Sequence, residues 1–180
     1  MISPEEYLRM DRATEHRSEY VDGEVFAMSG GTRKHTLIIG EVYSEFRSLL
    51  KGSTCRPTTS GLRLQLEPRG PYFYPDVMVT CGAFEGDADD IATNPVVVVE
   101  VLSPSTERWD RTGKFAHYRQ VPSLRVYMLV SQDEMRVEWW ERLASGQWVY
   151  YDATGLEGEC KLDALGVTLS LARIYENVGL

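Results

Sequence analysis

Cysteine is scarce in this chain: Cys55, Cys81 and Cys160 are three in 180 residues, scattered and odd in number. None has CxxC or Cys/His spacing, which argues against a zinc site or a disulfide frame and for free thiols in a reducing compartment. No apolar run approaches the length of a membrane span and nothing near Met1 resembles a signal peptide, so a cytoplasmic location is expected. A glycine-rich phosphate loop, a nucleophile elbow and a dinucleotide fingerprint are all missing, which leaves nucleotide-dependent and serine-hydrolase chemistry unsupported. Neither a repeat nor a Pro/Ser-rich linker divides residues 1–180, which read as one domain. Positive charge is in deficit, with 19 Lys and Arg against 27 Asp and Glu and a net charge of −8. That balance speaks against indiscriminate DNA binding.

What the chain does have is a carboxylate in an apolar setting. Glu100 ends the run Val96-Val97-Val98-Val99 and is followed by Val101 and Leu102. Upstream, Pro75-Asp76-Val77-Met78-Val79 puts a second carboxylate on another apolar strand. Continuous β-branched runs read as strands buried on both faces, where an unpaired charge costs several kcal/mol. Two carboxylates at neighbouring strand ends repel until a hard cation bridges them, and Mg²⁺ or Mn²⁺ suits oxygen ligands. Pairing of each carboxylate with an arginine, or capping of a loop, is the bland alternative.

After the strand, Ser103-Pro104-Ser105-Thr106 reads as a turn and residues 107–120 as a helix that Val121-Pro122 ends. Trp109, Ala116 and Phe115 are expected to form its buried stripe. Asp110, Lys114 and either His117 or Tyr118 recur at helical spacing and share a face. That face can turn back toward Glu100, although an Asp-to-Lys pair four residues apart is also an ordinary surface ion pair.

The remaining pattern is mixed α/β. Ser3-Pro4-Glu5-Glu6 opens a helix, and Asp22-Gly23 marks a two-residue hairpin with Glu24 at the start of the return strand. A helix follows from Lys34 to about Leu50, near whose start His35 lies, after a flexible Ser29-Gly30-Gly31. Leu62, Leu64 and Leu66 suggest a half-exposed strand, and Asp76–Thr80, Val96–Leu102 and Leu124–Val130 are further strands. Strand, helix, strand across residues 96–130 implies a parallel crossover. Met135–Glu141 and Gln147–Asp152 form a second hairpin, rich in aromatics that read as packing, and a last helix begins at Ser170.

Asp22-Gly23-Glu24, His35, Pro75-Asp76-Val77, Glu100-Val101-Leu102-Ser103-Pro104-Ser105-Thr106, Asp110, Lys114 and Tyr118 together resemble the pattern of the Uma-two family of bacterial endonucleases. That family lies within the PD-(D/E)XK phosphodiesterase superfamily, which includes many restriction endonucleases. The resemblance implies a mixed central β-sheet flanked by helices, here with an added N-terminal helix and hairpin. It also implies a Mg²⁺- or Mn²⁺-dependent DNA endonuclease. One departure stands out: Leu102 occupies the position where the superfamily has its strand lysine. Lys114 on the adjacent helix is the matching amine.

On that basis Asp76, Glu100 and the backbone carbonyl of Val101 would hold the ion, and Lys114 would serve as cation or as base. Glu24, His35, Asp110 and Tyr118 are supporting candidates, with an exposed strand end for Glu24 and a solvated ring for His35 as the alternatives. Between Ser103 and Arg125 there are five basic and two acidic residues, which makes Arg108, Arg111 and Arg119 candidate DNA contacts. Much of the acid falls in Glu85, Asp87, Asp89 and Asp90, read as a solvated loop. DNA affinity is expected to be weak, to fall steeply with salt, and to depend on a homodimer or another partner. Two other readings remain open: an inactive nuclease-fold module that binds nucleic acid or a protein, and a structural protein with internally paired carboxylates.

Overall fold

The computed structural model describes residues 1–28, 30–86 and 88–180, so Ser29 of the expected flexible loop and Asp87 of the acidic stretch lie outside it. The chain opens with α1 (Pro4–Arg12), capped by Ser3, whose hydroxyl accepts from the Glu6 N–H as the Ser-Pro-Glu-Glu pattern anticipates. Next come β1 (Ser18–Val21) and β2 (Glu24–Ala27). They are joined by Asp22 (φ 50°) and Gly23 (φ 87°), the two positive φ values a tight hairpin turn requires. The long helix α2 (Arg33–Leu49) is capped by Thr32 and presents Ile38, Val42 and Phe46 to the core.

The strands that follow are β3 (Cys55–Thr59), β4 (Arg63–Gln65), β5 (Tyr72–Phe73), β6 (Val77–Cys81), β7 (Ile91–Ala92) and β8 (Pro95–Val101). A helical stretch then runs as α3 (Glu107–Trp109), a π-helical segment (Asp110–Lys114) and α4 (Phe115–Tyr118). It leads to β9 (Val126–Val130), β10 (Arg136–Arg142), β11 (Trp148–Thr154), β12 (Glu159–Leu162), β13 (Val167–Ser170) and α5 (Leu171–Ile174).

Six strands form the larger sheet, in the order β11-β10-β9-β8-β6-β3, with β8 and β9 parallel and the other neighbours antiparallel. The helical stretch 107–118 is the crossover that the parallel pair demands. Alternation along β8 sends Val97, Val99 and Val101 to one face, where they pack with Ile38, Val42 and Phe46 of α2 and with Leu171 and Ile174 of α5. Val98 and Leu102 join the opposite core, with Leu64, Phe73, Tyr118 and Tyr127. Glu100 falls on this second face by the same alternation, under the 107–118 helix.

A second sheet, β2-β1-β5-β4-β7, lies on that side. Tyr7 of α1 packs on Tyr20, Tyr72 and Ile91. Contrary to the half-exposed strand expected around Leu64, all of β4 is buried. Arg63 is accommodated by ion pairs to Asp11 (2.7 Å) and Asp90 (2.8 Å). Asp90 also pairs with Arg12 at 2.9 Å, so this part of the acidic stretch is tied down while Glu85 and Asp89 are exposed.

Cysteine also departs from expectation. Cys55 and Cys81 are cross-strand partners in the β3–β6 ladder and form a disulfide; only Cys160 is a free, buried thiol among the described residues. Their separation of 26 residues matches no local motif, and strand register alone brings them together. No helix is long and apolar enough to cross a membrane among the described residues.

Candidate active site

Two chain segments bring the central pair together. Asp76 immediately precedes β6 and Glu100 sits near the end of the adjacent β8, both buried. The Asp76 Oδ2 atom accepts a hydrogen bond from the Val101 N–H at 2.8 Å, which fixes the carboxylate against the end of the Glu100 strand. Val101 meanwhile offers its carbonyl oxygen to the Nε2 atom of His35, 3.1 Å away; the same Nε2 is 3.4 Å from Asp76 Oδ2. His35 is in the first turn of α2, its ring flanked by Gly31, where an added Cβ would stand 2.6 Å from Nδ1.

Lys114 reaches back from the helix. Its Nζ lies 3.1 Å from Glu100 Oε1, 3.0 Å from Glu19 Oε1 and 3.5 Å from Asp110 Oδ1, the last an ion-pair contact longer than a good hydrogen bond. Tyr118, one turn on, donates its hydroxyl to Glu100 Oε1 at 2.8 Å. The stripe 110, 114, 118 is thus polar and buried, whereas Trp109 is 40 % exposed and Ala116 is exposed. This reverses the apolar stripe expected from Trp109 and Ala116, since the carboxylates beneath the helix draw in its charged side. The Trp109 ring lies over Gly113, so close that a Cβ there, 1.7 Å from the ring, would push the indole aside. The Tyr127 hydroxyl donates to the Asp110 carbonyl at 2.8 Å within the π-helical segment, a geometry that recurs at functional sites.

Electrostatically the cluster holds four carboxylates, from Glu19, Asp76, Glu100 and Asp110, around one ammonium and one imidazole. Burial raises the Glu100 carboxyl well above the usual range, opposed by Lys114 and reinforced by Asp76, Asp110 and Glu19. Burial also raises Asp110, again opposed by Lys114. For Lys114, burial favours the neutral amine, but Glu100, Glu19 and Asp110 overcome it and hold the group above its ordinary value. With these carboxylates gathered around it, the ammonium is the favoured form of Lys114 in the metal-free protein. His35 is raised too: burial lowers it, and Asp76 and the Val101 carbonyl more than offset this.

This excess of buried negative charge fits a bound divalent cation. Among the described residues no three His, Cys, Asp or Glu side chains group at metal-binding spacing. A cation here would therefore draw on the Val101 carbonyl and on solvent besides Asp76 and Glu100.

Other expected residues fall elsewhere. Glu24 opens the edge strand β2 and is exposed; the carboxylate that this hairpin contributes to the cluster is Glu19, on β1. A charge embedded in Glu19-Tyr20-Val21 was the available signal, the same oddity that marks Glu100. Arg108 and Arg119 are exposed on the helix, and Arg111, half-buried, pairs with Glu107 at 2.8 Å and Glu138 at 2.6 Å.

Comparison with known proteins agrees with this architecture. The chain is 34 % identical over 177 residues to an uncharacterised protein of Synechocystis sp., covering 98 % of this chain and 93 % of that one. A second uncharacterised Synechocystis protein is 27 % identical over 169 residues, covering 93 % and 96 %. In fold, the chain matches a crystal structure from Anabaena variabilis described as a "putative nuclease belonging to DUF820". The TM-score is 0.80 and the identity 21 %, over 99 % of both chains. The Uma2 family, described as "Putative restriction endonuclease", matches residues 4–172, nearly the whole length, and the chain belongs to that family.

Proposed function

We propose that this protein is a metal-dependent phosphodiesterase that cuts DNA internally. The observation that carries the reading is the Lys114 ammonium, delivered from the crossover helix to within 3.1 Å of Glu100 beside Asp76, where the strand position itself holds Leu102. Asp76, Glu100 and the Val101 carbonyl would hold Mg²⁺ or Mn²⁺. When bound, such an ion polarises a phosphate oxygen and makes water more acidic. Lys114 would be the electrostatic partner of the phosphate, its ammonium neutralising negative charge that develops during hydrolysis. Glu19 and Asp110 hold it in place, and Tyr118 orients Glu100.

Purified protein is expected to nick or linearise plasmid DNA with Mg²⁺ or Mn²⁺ and to stop when EDTA is added. No cleavage of supercoiled, linear or single-stranded DNA with either ion would refute the proposal. The substrate would approach over the exposed Arg108 and Arg119, in a cytoplasmic protein acting as a homodimer. Arg108→Ala should weaken binding uniformly across DNA sequences and reduce the slope of log K against log salt by about 1, measured by fluorescence anisotropy at several salt concentrations. An unchanged slope would remove Arg108 from the phosphate contacts.

A further inference from the structure

We propose that Arg17 binds a backbone phosphate of the DNA, the neighbour of the one that is cut, so that the amino-terminal hairpin contributes a substrate contact as well as the Glu19 anchor. This rests on the nuclease reading above. Arg17 immediately precedes β1, two residues before Glu19, and is exposed. Its guanidinium is nonetheless held. Nη1 donates to the Ser60 carbonyl, and Cζ lies 5.4 Å from the centre of the Tyr74 ring. Each of those partners leads directly to the cluster. The Ser60 N–H donates to the Asp76 carbonyl at 3.1 Å, which carries the β3–β6 pairing one step further. Tyr74 stands two residues before Asp76, and its N–H donates to Glu19 Oε1 at 3.4 Å, the oxygen that holds Lys114.

What sets Arg17 apart is its charge. The other arginines of this half are neutralised, Arg12 and Arg63 by Asp90, and Arg63 again by Asp11. Among the described residues Arg17 contacts a carbonyl and a ring but no carboxylate. The Tyr74 hydroxyl donates to Asp11 Oδ2 at 2.5 Å, which enriches the ring in electrons and makes it a better seat for a cation. Most of the N–H donors of Arg17 stay unused, and Nη2 lies beside Gly61, which has no side chain to cover it. A planar, oriented and uncompensated guanidinium is suited to a phosphate. The four carboxylates of the cluster repel a polyanion, and a cation on this side offsets that repulsion. Adjacent strands lie about 5 Å apart, so a group fastened to Ser60 stands beside Asp76 and not over it. That offset suits the next phosphate along the DNA strand. A residue that only tied β1 to the Ser60 turn would need no charge.

A methylphosphonate scan tests this. Short oligonucleotides, single-stranded and duplex, each with one phosphate made neutral, are incubated with protein and Mg²⁺ or Mn²⁺, and the cleavage rate at every position is read on a gel. In the wild type, cleavage adjacent to the neutral phosphate, on one side of it, should fall about tenfold. Arg17→Gln should cut unmodified DNA about tenfold more slowly, and the neutral phosphate should then cost nothing further at that position. Arg17→Lys, which keeps the charge without the fork, should recover part of the rate together with part of the sensitivity. Absence of that sensitivity in the wild type, or sensitivity that survives intact in Arg17→Gln, would overturn the assignment, reduce Arg17 to a structural tie and leave the nuclease reading standing. Wild-type protein that cuts no DNA with either ion would overturn both.

Discussion

Lys114→Met is expected to destabilise the metal-free protein at pH 7 by about 3–5 kcal/mol, the usual cost of stripping one partner from a buried ion cluster. The loss should be strongly pH-dependent. Lys114 is the ammonium around which Glu19, Glu100 and Asp110 are gathered, and without it their charges face one another in a buried space. Glu100 and Asp110 are already raised with Lys114 present, so they bind protons more tightly in the folded than in the unfolded chain. Stability from such groups is greatest below the unfolded carboxyl values, about 4, and falls as pH rises through the folded values. In the variant those folded values climb further, and the deficit at pH 7 should shrink as pH is lowered toward 5. The wild type also carries an alkaline limb of the same sign. Lys114 is raised, so its contribution is complete below about 10.4 and is lost as pH rises beyond that, a limb that the variant lacks. Urea unfolding at pH 5, 7 and 11 measures this, and a deficit equal at all three values would contradict the cluster's role. Glu19→Gln, which removes one of three carboxylates, should cost much less.

Glu100→Gln and Asp76→Asn should each reduce Mg²⁺-supported DNA cleavage on the order of 10³-fold, the kinetic equivalent of several kcal/mol of lost metal chemistry. The metal-free stability should move the other way from that of Lys114→Met. The environment of Glu100 disfavours its charged form, and a neutral amide of nearly the same shape still accepts from Tyr118 and Lys114. Thermal unfolding in EDTA should therefore find Glu100→Gln as stable as the wild type or more so. Added Mg²⁺ should stabilise the wild type, by about 2.7 kcal/mol at a hundred times its dissociation constant, and not the variant. A variant that cuts normally would exclude Glu100 from the chemistry. One that unfolds in EDTA would mean that the carboxylate is mainly structural.

Where the sequence was informative, the signal was energetic. A carboxylate among valines must have a buried partner, and Glu100 and Asp76 were legible for that reason. Lys114 was marked by the family resemblance, which expects a strand lysine where Leu102 stands; helical spacing alone reads equally as a surface ion pair with Asp110. Other features depend on contacts that no local window contains. The Cys55–Cys81 pairing is a matter of β3–β6 register, and burial of Arg63 needs Asp11 from one side and Asp90 from the other. The buried stripe of the crossover helix was misread because periodicity ranks residues by hydropathy. Here a charged partner outweighs an indole, so Lys114 is inside and Trp109 outside. Glu19 was overlooked because its strand is only four residues long, too short for alternation to mark a buried charge.

Glu19 belongs to β1, in the smaller sheet, while Asp76 and Glu100 stand against the larger one. The buried charge cluster therefore acts as a latch between two separately hydrogen-bonded sheets. If the amino-terminal half opens transiently, as partial unfolding units do, Glu19 leaves with it and the ammonium loses one of its three anchors. Slow amide exchange in β1 and β5 would then report the closed cluster, and a protease that nicks the chain between α1 and α2 would free Glu19 from Lys114 without touching Asp76 or Glu100.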